Sequence, residues 1–293
     1  MPVMEITTKI GCENACTYCP QHNLAEAYAK RSNVFQMNFD VFEKCINKIP
    51  PAVDIHFSGM CEPWLNPECT KMLLCAYKRG HKISVYTSLV GMNPSDIDLL
   101  EPVPFKAFIV HLFSEEEYGN AKVNENYLEV LDRMSKSNIK PSYQFHGGTV
   151  PFKIRSLIKE NIEEVVKTSR AGNIKIGNSP LPGRKLGVIG CSRDLRQNVL
   201  LPNGDVILCC MDYGVKHVLG NLLSSDYDSL FRSKEFLKIK SGLKRSFSDI
   251  LCRYCDSCAY DVNLSAKIHT SLTYQYQRAI DKIRGICRHR RIR

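Results

Sequence analysis

The 293-residue sequence contains no run approaching about 18 consecutive apolar residues, the length a membrane-crossing helix needs. Its opening stretch, Met1–Cys12, lacks a basic n-region, an apolar core and a small-residue cleavage site, so it does not read as a secretory leader. Low-complexity tracts are missing, and there is no internal repeat beyond an alternation of strand and helix patterns. Hydrophobic residues at 44% and charged residues at 24% exclude the disordered and collagen-like classes. A chain of this length needs no disulfide scaffold to bury a core, and a reducing cytoplasm is the expected location.

Cysteine is what the chain has in excess. There are 14, nearly one residue in twenty, and in a reducing setting that number points to metal or redox chemistry. Charge is the second excess. Lys and Arg outnumber Asp and Glu by 40 to 30, a net charge of +10, which invites a nucleic-acid or membrane-surface reading. Six of those positive charges lie in the last twelve residues (Lys282, Arg284, Arg288, Arg290, Arg291 and Arg293), so the other 281 residues carry only +4. The charge therefore describes a tail, expected to be helical, for which a solvated terminus and a contact with nucleic acid or an anionic surface are the alternative readings. It does not describe a basic core.

Short runs rich in Val, Ile, Phe and Tyr predict strands at Val3–Ile10, Val53–Ser58, Lys82–Thr87, Ala107–Phe113, Pro141–His146 and Asn173–Gly177. Apolar spacing near 3.6 predicts helices at Phe39–Ile49, Pro67–Lys78, Asn126–Ser137 and Arg155–Thr168. Six alternations of roughly 30 residues imply an α/β fold with a parallel sheet and helices outside it. Periodicity fits an open flavodoxin-like sheet and a partial barrel equally well. The Pro/Gly break at Ser179–Arg184 marks a domain boundary. Beyond it, Pro202-Asn203-Gly204-Asp205 predicts a hairpin between Val199–Leu201 and Val206–Cys209, followed by a helix around Leu230–Ile239.

Directly after the first predicted strand, Cys12, Cys16 and Cys19 stand at C-x3-C-x2-C. Three thiolates on one short loop do not complete a tetrahedral zinc site without a fourth residue such as His22. They can hold three irons of a 4Fe–4S cluster and leave the fourth open to a ligand. With Tyr18 before the last Cys, this loop resembles the signature of radical S-adenosylmethionine enzymes. The resemblance implies a partial (β/α)6 TIM-type barrel and a cluster that reductively cleaves S-adenosylmethionine to a 5′-deoxyadenosyl radical, which abstracts a substrate hydrogen atom. It also implies cofactor-binding roles for Tyr18, Gly59, Glu62, Thr87 and Ser88. Of these, Gly59 and Glu62 lie in an imperfect Gly-Gly-Glu-Pro-like motif in which Met60 and Cys61 intervene. Glu62 suits the cofactor's ammonium group, or alternatively caps the helix that follows. Ser114 and His146 fall at later strand ends, where barrel chemistry gathers. Cys61, beside Glu62, is the candidate catalytic thiol for returning a hydrogen atom to a substrate radical.

Cys191, Gly204 and Cys209, followed by Cys252, Cys255 and Cys258, resemble the SPASM or shorter twitch extension of that family. The implied auxiliary 4Fe–4S ligands are Cys191, Cys209, Cys252 and Cys255, with Cys258 as a further metal-site candidate and Cys210 as a replacement for Cys209. A zinc site on the same thiolates is the alternative. The expected organisation is a radical-SAM core over 1–185, a SPASM/twitch domain over 186–260 and a basic helical tail over 261–293. The expected activity is oxidation or epimerisation of a carbohydrate-like small molecule, fed by an electron donor such as flavodoxin or ferredoxin. Radical modification of a peptide is one rival reading, and a non-catalytic metal-binding protein associated with nucleic acid is the other.

Overall fold

The computed structural model of the chain describes residues 1–116 and 123–261. The basic tail and Cys287 lie outside the described residues. Strands are β1 (Val3–Ile6), β2 (Asp54–Phe57), β3 (Ile83–Thr87), β4 (Ala107–His111), β5 (Ser142–Phe145), β6 (Ile162–Glu164), β7 (Ile189–Cys191), β8 (Gln197–Leu200), β9 (Asp205–Ile207), β10 (Val218–Asn221) and β11 (Cys258–Tyr260). Helices are α1 (Gln21–Ala29), α2 (Phe39–Ile46), α3 (Cys69–Lys78), α4 (Pro94–Leu100), α5 (Glu125–Lys136), α6 (Phe152–Arg155), α7 (Tyr227–Leu230) and α8 (Lys234–Gly242).

β1 to β6 lie side by side in chain order, and every pair among them is parallel. Parallel neighbours need a crossover, and a helix supplies it at each step. The helices bury one face each against the sheet. In α2 that face is Phe42, Cys45 and Ile46, and in α5 it is Tyr127, Val130, Leu131 and Met134. Asn38 starts α2 by accepting from the Val41 amide at 2.8 Å, and Asn124 starts α5 by accepting from the Tyr127 amide at 2.8 Å. Each cap contributes about 1 kcal/mol. Met4, Ile6, Ile55, Phe57, Val85 and Val110 fill the interior beneath the helices.

The sixth strand departs from the sequence expectation. The predicted helix Arg155–Thr168 is instead the single turn α6 followed by β6, where Ile162 pairs with Tyr143. Its apolar residues keep helical spacing, and the free edge of β5 overrides that pattern in favour of the strand. Val166, placed on the helix face, is 86% exposed. The predicted strand Asn173–Gly177 is a turn region, entered through left-handed backbone at Arg170, Ala171 and Gly172. Helices α1 and α4 were not predicted.

The second half of the chain extends the barrel sheet. β8 lies parallel to β1, from Val3 opposite Gln197 to Ile6 opposite Leu200. β9 and β10 continue the sheet antiparallel. The β8–β9 hairpin forms as its turn residues predict, with Gly204 in the left-handed region at φ 85°. Only β7 and β11 make a separate two-stranded sheet. The predicted helix around Leu230–Ile239 is two helices, because Ser233 breaks it and caps α8 by accepting from the Phe236 amide.

Candidate functional site

The C-terminal ends of β1 to β4 open into a cleft of about 360 Å³, within the range of small-molecule sites. All nine predicted residues of the first site line it: Cys12, Cys16, Cys19, Tyr18, Gly59, Cys61, Glu62, Thr87 and Ser88. The loop bearing the three thiols leaves β1 through Gly11, at φ 89°, and turns again at Ala15. Asn14, which sequence reasoning passed over, ties the loop to β3 by donating to Ser88 Oγ at 2.9 Å. Burial pushes the Cys12 thiol up to about 11 and the Cys16 thiol up to about 12. Thiols held in this way ionise only against a cation.

Glu62 is buried and fully engaged. Oε1 accepts from Thr87 Oγ1 at 2.6 Å and from the Trp64 amide at 3.3 Å. Oε2 accepts from the Ser88 amide at 2.6 Å and Ser88 Oγ at 2.7 Å. Glu62 caps the short helix Pro63–Leu65 and also lines the cleft. Four donors match the roughly four lone-pair sites of a carboxylate, so an incoming ammonium must share or displace one of them. Gly59 has a structural reason. It sits at φ 50°, and a Cβ there would come within 2.5 Å of the Ile6 carbonyl oxygen, so only glycine lets the end of β2 cross the end of β1. Cys61 lines the cleft with its thiol donating to the Glu62 carbonyl at 3.3 Å, and burial pushes that thiol up.

The deeper wall was not legible in sequence. Glu5, His56, Tyr86 and His111 come from β1 to β4. Glu5 and His56 are paired in register. Their signal is polar side chains inside otherwise buried strands, which the strand pattern contained without marking. Glu5 accepts from Gln197 Nε2 at 2.6 Å and from Ser58 Oγ at 3.3 Å. Burial raises its carboxyl despite the nearby Arg193. Burial likewise depresses His56 to about 4 and His111 to about 3. His146 does not line the cleft. It packs on Tyr18, with ring centroids 4.2 Å apart, and shares a hydrogen bond with His111 at 3.1 Å. Ser114 is buried and does not line the cleft. From the second half of the chain come Arg170, Arg193, Cys210 and Tyr213. The Tyr213 hydroxyl lies 3.7 Å from Cys19 Sγ.

A second, smaller and less open cavity is lined by Cys191, Cys209, Cys252, Cys255 and Cys258. The rest of its wall is mainly Leu195, Leu208, Met211 and Leu251. Cys258 stands opposite Cys191 across β7 and β11. Hydrogen bonds from Cys258 push the Cys191 and Cys255 thiols down, and the Cys258 thiol is pushed up by its bonds to Cys191, Cys252 and Cys255. Cys209 and Cys210 part company just past β9, the first facing this cavity and the second facing the cleft. Cys210 is therefore no substitute for Cys209.

Arg253, also missed by sequence reasoning, is fully buried between two of these cysteines. It donates to the carbonyls of Lys185, Gly187, Gly242, Leu243 and Arg245 and to Ser248 Oγ, at 2.6 to 3.3 Å. His217 accepts from the Leu251 amide through Nε2 at 3.1 Å and therefore donates through Nδ1 to Glu235, at 2.6 Å. Both residues position the Cys252–Cys255 turn. Soft thiolates around an apolar cavity suit an iron–sulfur cluster. In the cleft, three thiols on one loop suit a cluster with one iron open. Among the described residues no three His, Cys, Asp or Glu side chains converge on a single metal ion.

Residues 191–259 match the SPASM family, an iron–sulfur cluster-binding domain. No curated protein matches the chain. Among solved structures the chain is similar to BtrN in complex with AdoMet and 2-DOIA (TM-score 0.57, 17% identity, 91% of this chain and 95% of that one covered). It is similar to native anSMEcpe with bound AdoMet (TM-score 0.54, 14% identity, 87% and 86% covered). It is similar as well to Streptococcus suis SuiB bound to the precursor peptide SuiA (TM-score 0.56, 12% identity, 82% and 66% covered). At these identities the likeness is one of fold. The chain therefore carries a SPASM iron–sulfur cluster-binding domain set against a core with the fold of radical S-adenosylmethionine enzymes.

Proposed function

We propose that this chain is a radical S-adenosylmethionine enzyme that abstracts a hydrogen atom from a carbohydrate-like small molecule and oxidises or epimerises it. The carrying observation is that nine residues singled out from three separate stretches of sequence line one cleft. Cys12, Cys16 and Cys19 would hold a 4Fe–4S cluster, which together with bound S-adenosylmethionine would supply the 5′-deoxyadenosyl radical chemistry. Glu62, Thr87 and Ser88 hold the cofactor's amino acid end, with Asn14 locking the cysteine loop to Ser88. Tyr18, backed by His146, closes the loop side against water. A small polar substrate is supported by the cleft's volume and by a wall of Glu5, His56, Tyr86, His111 and Gln197, which offers donors and acceptors to hydroxyl groups. BtrN, with AdoMet and 2-DOIA, has the same fold. The auxiliary cluster is held by Cys191, Cys252 and Cys255, with the fourth thiolate from Cys209 or Cys258.

Anaerobically reconstituted protein should carry roughly eight irons, as two 4Fe–4S clusters require, and form 5′-deoxyadenosine with a strong reductant. Zinc in place of iron, with no cleavage, would sink the enzyme reading. Formation of 5′-deoxyadenosine only with a peptide would move the substrate to the peptide class. Cys61→Ala should block hydrogen return while leaving 5′-deoxyadenosine formation intact, and unchanged product would remove Cys61 as the donor.

A further inference from the structure

Among the described residues, two side chains line both cavities, Arg193 and Gln197. Gln197 is held by Glu5. Arg193 sits on the turn between β7 and β8, two residues after Cys191. The turn fixes its direction. The Asp194 amide donates to the Cys191 carbonyl at 3.0 Å, the Arg196 amide to the Arg193 carbonyl at 2.9 Å, and Asp194 and Leu195 are both left-handed. Arg193 Nη1 donates to Cys210 Sγ at 3.0 Å.

Arg193 is also the one charged side chain on the wall of the auxiliary cavity among the described residues. Among the described residues it forms no ion pair within 4.0 Å; Glu5, the nearby acid whose field it feels, is bonded by Gln197 and Ser58. Its field reaches the Cys191 and Cys209 sulfurs. Arg253 is the other nearby cation, but its guanidinium is wrapped by backbone carbonyls behind the Cys252–Cys255 turn, whose dipoles oppose its charge. The Arg193 guanidinium lies on the Cys210 side, so its charge acts on the auxiliary cavity from behind an apolar wall that screens it weakly.

We propose that Arg193 is a positioning charge between the two sites: it raises the reduction potential of the auxiliary cluster and, through its bond to Cys210, couples that cluster to the substrate cleft. A fixed positive charge at a low-dielectric wall favours the state that holds the extra electron. This rests on the reading that the five-cysteine cavity holds an iron–sulfur cluster.

The test uses the full chain with Cys12→Ala, Cys16→Ala and Cys19→Ala, so that only the auxiliary cluster remains, titrated with dithionite and followed by electron paramagnetic resonance. In that background Arg193→Gln should shift the equilibrium toward the oxidised cluster by about tenfold, a midpoint lower by about 59 mV for a one-electron couple. Arg193→Lys, which keeps the charge, should stay near the parent. An unchanged midpoint in Arg193→Gln at full iron content overturns the proposal. Loss of iron in both Arg193 variants overturns it too, because the residue would then be scaffold. A parent background that binds no reducible cluster refutes the cluster reading itself, an outcome distinct from either.

Discussion

The two cysteine-lined cavities use one element in opposite ways. In the cleft, three thiols crowd one loop, face an open volume of about 360 Å³ and share their wall with carboxylate, hydroxyl and imidazole groups. In the auxiliary cavity, five thiols arrive from β7, the segment just past β9, the Cys252–Cys255 turn and β11 and meet apolar side chains, with Cys258 hydrogen-bonded to Cys191, Cys252 and Cys255. A thiol set that is one ligand short and open to solvent suits binding and reaction. A saturated, enclosed set suits holding an electron. What separates the two is the number of thiolates and the polarity of the wall, with cysteine common to both.

The largest expected effect breaks one half of the comparison outright. The Cys12→Ala, Cys16→Ala, Cys19→Ala triple variant should lose all cleavage of S-adenosylmethionine yet keep about half the iron, as one of two 4Fe–4S clusters. Loss of all iron would show that the cavities are not independent. Next is Arg253→Ala, which removes a buried charge and leaves several carbonyls without their donor. It should lower the unfolding free energy by several kcal/mol, at about 1 to 3 kcal/mol for each buried carbonyl left unsatisfied, and limited proteolysis should show cleavage around 185–255 before the barrel opens. A uniformly loosened chain would mean that Arg253 serves the whole fold.

The cleft should also dominate the response to acid. His56 is held at about 4 in the folded chain, below the ordinary 6.5, because burial disfavours its charge. Between those values the unfolded chain binds the extra proton, so stability should fall as pH drops from about 6.5 toward 4, by up to about 3 kcal/mol. His56→Gln should flatten that part of the stability profile measured by urea melts, and an unaltered slope would place the acid sensitivity elsewhere. The smallest change is Glu62→Gln, which keeps the shape and removes the charge. It should weaken S-adenosylmethionine binding by about 10- to 100-fold, the worth of a charged hydrogen bond, as calorimetry would read. Equal affinity would leave Glu62 only its cap and its bonds to β3.

Much of this was legible before any coordinates. Val3–Ile10, Val53–Ser58, Lys82–Thr87, Ala107–Phe113 and Pro141–His146 each contain their strand, because a parallel strand buried on both faces reads as an apolar run. The sixth did not, since Ile162, Val165 and Val166 keep helical spacing and the unpaired edge of β5 overrode it. In the site, Cys12, Cys16, Cys19 and Glu62 stood out through their spacing and neighbours. Glu5, His56, Tyr86 and His111 carry no local mark and become a wall only when four strands stand in register. Arg253 reads as one more basic residue until the backbone wraps it.

The sequence by itself determined the βα alternation, the hairpin at Gly204 and the division of the cysteines into a loop of three and a C-terminal group, because spacing and turn chemistry are local properties. Only the tertiary structure decided that β8 joins the barrel sheet beside β1, that Cys209 and Cys210 face different cavities, and that Arg193 stands between them. Those facts depend on which distant segments share a wall, and that is settled by strand pairing and burial across some 190 residues of chain, from Glu5 to Gln197.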